Sequence, residues 1–164
     1  MEIRKAELND LDEIIEIYKN VIITMEKNNI HQWDEIYPSS SILKEDILND
    51  EMYVGVINNI IVSVVVLNSE FDEQYINGKW QYNNKNFAIV HRLCVNPLYQ
   101  NKKIGNKTML IIEDLLRNER VESIRLDAFS ENPYALKMYK KLGYKKVGEV
   151  TWRKGLFYLF EKKI

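Results

Sequence analysis

The chain has 164 residues, 46% of them hydrophobic and 29% charged, a mixture that builds one ordinary soluble domain and excludes a wholly disordered chain. A single cysteine, Cys94, excludes an internal disulfide, and with only His31 and His91 beside it a structural zinc site lacks ligands, so no metal is expected. Its net charge of −1 conceals a division: residues 1–82 carry 6 Lys+Arg against 16 Asp+Glu, whereas residues 83–164 carry 17 against 8.

A basic half of this kind suits nucleic acid, a membrane surface or a small polyanionic cofactor. The basic residues are spread through amphipathic stretches rather than packed in one arm, so charge alone favours ordinary solvated helix faces. The longest apolar run, residues 60–67 with Ser63 inside it, is strand-length and far short of a membrane span. The opening MEIRKAELND has no apolar h-region, so a cytoplasmic domain without a signal peptide is expected.

In chain order, residues 3–5 read as a short strand. Apolar side chains then fall at Leu11, Ile14, Ile15, Tyr18, Ile22 and Met25, the spacing of one helix face, with acidic residues at the N-terminal end where the helix dipole favours them. Asn28 and Asn29 end that helix. Residues 31–38, HQWDEIYP, have no regular period and read as a structured loop, after which Ser39 to Ser41 can cap a short helix over about 42–50.

Strands at 52–57 and 60–67 flank Asn58-Asn59, and because asparagine tolerates positive φ the pair reads as a hairpin. Residues 69–86 form a polar excursion. The strand at 87–95 is apolar on both faces except at His91 and Arg92, which predicts a central position. A helix over 104–117, a strand over 123–129 and a helix from Pro133 to Leu142 follow, the last capped by Asn132 and stopped by Gly143. Strands near 144–150 and 156–162 close the chain. No repeat or linker divides it, so a single domain over residues 1–164 is expected, an α/β fold with a mixed sheet and helices on both faces.

The six glycines form no G-x-G-x-x-G fingerprint, no phosphate loop ending in G-K-[ST] and no G-x-S-x-G elbow. Two other stretches carry information. VNPLYQNKKIGN, residues 95–106, joins a strand to a helix N-terminus, where unpaired N–H groups hold anions and Lys102, Lys103 and Lys107 add positive charge. NPYALKMYKKLGY, residues 132–144, sets Asn132, Ala135 and Tyr139 along one side of a helix. Taken alone, Tyr139 reads more commonly as a half-buried aromatic beside Leu136 and Leu142.

Together the two stretches resemble the GNAT superfamily of acyl-CoA-dependent N-acetyltransferases. Val95, Pro97, Gln100 and Gly105 match its V-x-P then [QR]-x-x-G-x-[GA] pattern, with Lys103 where the pattern prefers glycine. Asn132, Ala135, Tyr139, Gly143 and Tyr144 match N-x-x-A-x-x-x-Y-x-x-x-G-[FY]. The resemblance spans essentially the whole chain and implies the GNAT fold: a mixed, mostly antiparallel sheet of about seven strands with about four helices on both faces.

The resemblance further implies acetyl-CoA as cofactor. Backbone N–H groups of Asn101, Lys102, Lys103, Ile104, Gly105 and Asn106, following Gln100, would bind the pyrophosphate, and the Lys103 ammonium would reinforce that contact. Leu93, Cys94 and Val95 would offer strand-edge bonds to pantetheine, which Asn132 and Ala135 would meet from the other side. Tyr139 would protonate the departing thiolate, and Cys94 would be a small buried residue rather than a nucleophile.

An ammonium of pKa ~10 must lose a proton before it attacks. The glutamate that some family members carry on the central strand falls at Ile89 here, and His91, two residues on, is the replacement by type and placement. A core histidine satisfied by backbone, or a water relay, are equal readings. Arg92, facing the other way, pairs with a carboxylate such as Asp127. Trp33, Asp34 and Tyr37 border the acceptor side in the resembling fold, where loop anchoring explains Trp33 equally and Tyr37 better.

The leading expectation is therefore transfer of acetyl to a primary amine of a small molecule or peptide, with no nucleic-acid or membrane partner and a homodimer admitted. A protein N-terminal or lysine acetyltransferase and a non-catalytic CoA-binding regulatory module are the alternatives. The acidic half carries the presumed acceptor side, which suits a cationic amine.

Overall fold

A computed structural model describes residues 1–82 and 86–164. Of the polar excursion read at 69–86, residues 83–85 lie outside the described residues. The strands are β1 (Glu2–Lys5), β2 (Met52–Ile57), β3 (Ile60–Asn68), β4 (Phe87–Val95), β5 (Ser123–Phe129), β6 (Lys145–Trp152) and β7 (Gly155–Lys163). The α-helices are α1 (Leu11–Lys27), α2 (Ser40–Leu48), α3 (Ile104–Asn118) and α4 (Pro133–Lys141). The sheet order is β1-β2-β3-β4-β5-β7-β6, which sets β4 in the middle as its two apolar faces require. β1–β2, β2–β3, β5–β7 and β6–β7 pair antiparallel, and β4–β5 pair parallel. Among the described residues no helix is long and apolar enough to cross a membrane.

The chain forms two compact units, Met1–Leu67 with Arg92–Met109 and Asn68–His91 with Leu110–Ile164. In the first, α1 buries Ile14, Ile17, Tyr18 and Val21 on one stripe. These pack in a core with Leu43, Ile47, Met52, Val54, Val64 and Cys94. The Glu13 carboxylate, in the first turn of α1, accepts from the Ile61 N–H at 3.0 Å. Helix α2 begins two residues earlier than its sequence pattern suggests, because Ser39 is the cap that accepts from the Ile42 N–H. Asn58 and Asn59 both take left-handed φ, 49° and 61°, the turn a two-residue hairpin demands.

In the second unit, Asn132 caps α4 through its Oδ1, Pro133 fills the first position, and Gly143 at φ 88° ends the helix. The excursion contains a 3-10 turn, Glu73–Asn77, that the sequence pattern leaves undefined. It closes on β6: the Lys79 N–H donates to the Val147 carbonyl at 2.8 Å. At Gly148 a Cβ would stand 2.9 Å from the Asn77 carbonyl oxygen, so only glycine admits this approach.

Tyr75 from that turn stacks on Phe71, Trp80 and Trp152. The Arg125 guanidinium lies over Phe87 and Trp80 and pairs with Glu161, whose carboxylate also accepts from the Gln81 N–H. Glu113 on α3, buried, accepts from the Lys162 ammonium of β7 at 2.6 Å.

Candidate active site

The first unit holds the strand end and loop that carry the first motif. In β4 Arg92 takes φ 51°, a conformation that an L-residue adopts at a cost of about 1–2 kcal/mol. Three contacts hold it there. The Tyr18 hydroxyl donates to the Arg92 carbonyl at 2.6 Å, the Arg92 guanidinium forks onto Asp46 at 3.0 and 2.5 Å, and Arg92 donates to the Tyr37 hydroxyl at 2.9 Å. The carboxylate partner is thus Asp46 of α2 and not Asp127, because the left-handed residue interrupts the two-residue alternation from which the Asp127 pairing follows.

The parallel ladder of β4 on β5 covers Phe87–Val90 and Ser123–Leu126, and both strands run on past it. Leu93, Cys94 and Val95 therefore lie on a stretch of β4 whose backbone that ladder does not use. Cys94 is buried, and burial pushes its thiol up to about 12, so it remains a neutral thiol at physiological pH.

After β4, Asn96 accepts from the Leu98 N–H and folds Pro97–Tyr99 into a 3-10 turn. Gln100 is extended, Asn101 and Lys103 are left-handed at φ 61° and 59°, and α3 starts at Ile104. The start of α3 is tied to β3 by Ser63 and Thr108, whose hydroxyls meet at 2.8 Å in the core. Ile104 is buried, Gly105 and Asn106 are half-buried, and Lys102, Lys103 and Lys107 are exposed around the first turn. First-turn N–H groups with three lysines beside them make a helix start whose charge favours an anion.

The φ of Lys103 explains the family's preference for glycine at that position, since glycine enters the left-handed region freely. Lys103→Gly is expected to hold or raise stability, by up to ~1 kcal/mol, whereas Lys103→Val loses ~1 kcal/mol or more. Urea unfolding of the two variants measures both.

Trp33, Asp34 and Tyr37, in the loop after α1, share this unit. Trp33 is buried and tilts against Tyr18 at 5.5 Å. The Asp34 carboxylate accepts from the Ile36 and Tyr37 N–H groups, and Tyr37 receives the Arg92 guanidinium. Trp33 anchors the loop, Asp34 shapes it and Tyr37 ties it to β4.

The second unit holds His91 and the α4 residues. His91 is half-buried, and its Nε2 faces two acceptors, Asn68 Oδ1 at 2.9 Å and the Glu70 carbonyl at 3.1 Å. Two acceptors make Nε2 a donor nitrogen. Ala135 stands one turn before Tyr139 on α4, where its N–H meets the Asn132 cap. Tyr139 is buried edge-on against Tyr144 with Phe160 nearby. Burial first, and the negative charge of Asp127 second, raise its pKa well above that of a free phenol, so the hydroxyl keeps its proton across the physiological range.

Sequence reasoning missed Asp46 and the left-handed Arg92. A lone aspartate in a helix flanked by apolar positions, Leu43 and Ile47, was the available signal for the first, and nothing local announces the second. Among the described residues no group of three His, Cys, Asp or Glu is placed to hold a metal ion.

A family model described as the acetyltransferase (GNAT) family matches residues 14–144. No curated protein sequence matches the chain. Among solved structures, a GNAT-family acetyltransferase of Streptococcus agalactiae superposes with a TM-score of 0.87 at 22% identity, covering 99% of this chain and 95% of that one. A GNAT-family acetyltransferase of Listeria monocytogenes gives 0.79 at 17% identity, covering 99% and 94%. The PaiA N-acetyltransferase of Thermoplasma acidophilum, solved in complex with coenzyme A, gives 0.73 at 23% identity, covering 99% and 98%. The last three likenesses concern the fold; the family model spans most of the sequence and both motifs through Tyr144. The chain belongs to the GNAT acetyltransferase family and is an acyltransferase enzyme.

Proposed function

We propose that this chain, acting as one acetyltransferase domain over residues 1–164, moves the acetyl group of acetyl-CoA to a primary amine of a small molecule or peptide. The observation that carries the reading is the loop before α3. Lys103 departs from the family pattern in residue type yet takes the left-handed φ of 59° that glycine would supply, so the anion-binding end keeps its shape. The exposed lysines around it fit a pyrophosphate.

In this reading, N–H groups of residues 101–106 hold the pyrophosphate, with Gln100 leading into the loop and the lysine ammonium groups adding charge. Leu93, Cys94 and Val95 offer backbone bonds to the pantetheine arm, and Asn132 and Ala135 contact it from α4. Bound acetyl-CoA supplies a thioester whose carbonyl carbon forms a C–N bond with the amine as its C–S bond breaks. The acceptor first gives up its ammonium proton, to His91 or to a water chain leading to solvent. Tyr139 donates its proton to the departing sulfur and regains one from the nitrogen that has become an amide, so one proton is released per turnover. A phenol kept protonated by burial suits that task.

Binding to the native state raises apparent stability by mass action. At ~100 times its Kd, acetyl-CoA adds about 2.7 kcal/mol, which for a chain of this size raises Tm by roughly 5–10 °C. The rise should shrink with added salt, because phosphates meet lysines. A Tm unmoved by millimolar acetyl-CoA contradicts the reading.

A further inference from the structure

Helix α2 buries Leu43, Asp46 and Ile47, at the spacing of one helix face. Two of these are the apolar residues such a stripe calls for, and the third is a carboxylate. A buried ion pair is seldom more stable than well-packed apolar residues of the same volume, so core stability alone does not explain an aspartate there. What the carboxylate touches does. Its two oxygens accept from Nε and Nη2 of Arg92 at 3.0 and 2.5 Å, and the same guanidinium donates from Nη1 to the Tyr37 hydroxyl at 2.9 Å.

Arg92 is also the residue of β4 that takes a left-handed φ, and its carbonyl accepts from the Tyr18 hydroxyl at 2.6 Å. Backbone strain of this kind persists only where the surroundings over-determine it. Asp46 of α2 fixes the side chain, and Tyr18 of α1 fixes the main chain. Because a trans peptide is planar, holding the Arg92 carbonyl also sets the Leu93 N–H, which points the opposite way. The course of Leu93, Cys94 and Val95 is therefore decided at residue 92, and the loop after α1 is tied to the same guanidinium through Tyr37.

We propose that Asp46 is a positioning residue for acetyl transfer: through the Arg92 guanidinium it fixes the direction of β4 at Leu93–Val95 and seats Tyr37 of the loop after α1. The assignment rests on the acetyltransferase reading above, in which Leu93–Val95 meet acetyl-CoA, and adds to it a residue outside both motifs. Charge and position make opposite demands on Asp46. Removing a negative charge from the protein favours a polyanionic cofactor. Releasing Arg92 disfavours it, because a strand that is no longer held must be ordered on binding. The sign of the change in acetyl-CoA affinity separates the two effects.

The test is isothermal titration calorimetry of acetyl-CoA with the full chain and its variants, each shown by urea unfolding to be folded, followed by steady-state kinetics with butylamine. Asp46→Asn, which is isosteric, should raise the acetyl-CoA Kd by roughly 3- to 30-fold and lower kcat about 10-fold. Asp46→Glu keeps the charge and should recover part of the affinity. Arg92→Lys also keeps its charge but loses the planar fork, so its Kd should rise as in Asp46→Asn. Tyr37→Phe cuts the loop's tie alone, and should raise the butylamine KM while leaving the acetyl-CoA Kd at the parent's value. An Asp46→Asn variant that is less stable yet binds acetyl-CoA as tightly as the parent, or more tightly, has lost packing only, and overturns the assignment. Should that variant fail to fold, Arg92→Lys decides, and a parental Kd in it overturns the assignment equally. A parent that does not bind acetyl-CoA removes the acetyltransferase reading and this assignment with it, whereas a parent that binds and variants that match it remove the assignment alone.

Discussion

Tyr139→Phe is expected to lower kcat by roughly 10²–10⁴-fold while the melting shift with acetyl-CoA is retained. The substitution removes one oxygen and leaves the ring, whose edge packs on Tyr144 and whose neighbour is Phe160. Because the packing survives, a loss of rate reports the missing proton donor and not a damaged fold. The phenol's burial and the charge of Asp127 keep it protonated, so the parent's rate should not fall through loss of this proton as pH rises to 9. Over the same range kcat/KM should climb, as more of an acceptor amine with pKa ~10 becomes nucleophilic. Rapid-mixing kinetics that isolate the chemical step measure this effect; an unchanged chemical step returns Tyr139 to a packing role.

Arg92→Ala is expected to lower folding stability by about 3–5 kcal/mol, the usual consequence of stranding one member of a buried ion pair. The side chains of Arg92 and Asp46 are 12% and 8% exposed, so solvent does little to compensate the carboxylate left behind. Burial already raises the Asp46 carboxyl above its ordinary 3.8, against the opposing pull of Arg92. Without Arg92 the rise is larger. A group whose folded pKa is raised favours the native state below its unfolded pKa, and that contribution is lost as pH rises through the folded value. The deficit of Arg92→Ala should therefore narrow toward pH 4 and be full at pH 7. Urea unfolding at the two pH values checks magnitude and sign together. The same substitution frees the left-handed residue in β4 and unties Tyr37, so the acetyl-CoA melting shift of the variant should also fall.

Much of this molecule is legible in the sequence for identifiable physical reasons. The α1 stripe, the Asn58-Asn59 hairpin and the Asn132–Pro133…Gly143 frame of α4 are set by local chemistry: periodicity, positive φ and capping. β4 is central because apolar residues occupy both of its faces. The loop at 100–106 reads as an anion site from its position before a helix and its lysines, and its left-handed Lys103 is what the family's glycine anticipates.

What escapes the sequence depends on partners far along the chain. Arg92 finds Asp46, 46 residues away, and Tyr75 finds Asp127, 52 residues away; neither pairing leaves a periodic trace. Strand alternation sent Arg92 toward Asp127, and one left-handed residue cancelled that inference. The 3-10 turn at Glu73–Asn77 is similarly silent, because it is held by Lys79 on Val147 and by a glycine seventy residues on. Trp33 reads equally as a substrate contact or an anchor from sequence, and its burial against Tyr18 is visible only in the fold.

The most direct test of acetyl transfer to an amine is to incubate the parent chain with acetyl-CoA and butylamine or tyramine and follow both products in one reaction. Free thiol is quantified by a thiol reagent and acetylated amine by mass spectrometry. Transfer predicts the two in equal amounts, at a rate that rises with pH and collapses in Tyr139→Phe. Acetyl-CoA that binds and raises Tm while neither product accumulates above the uncatalysed background would contradict it.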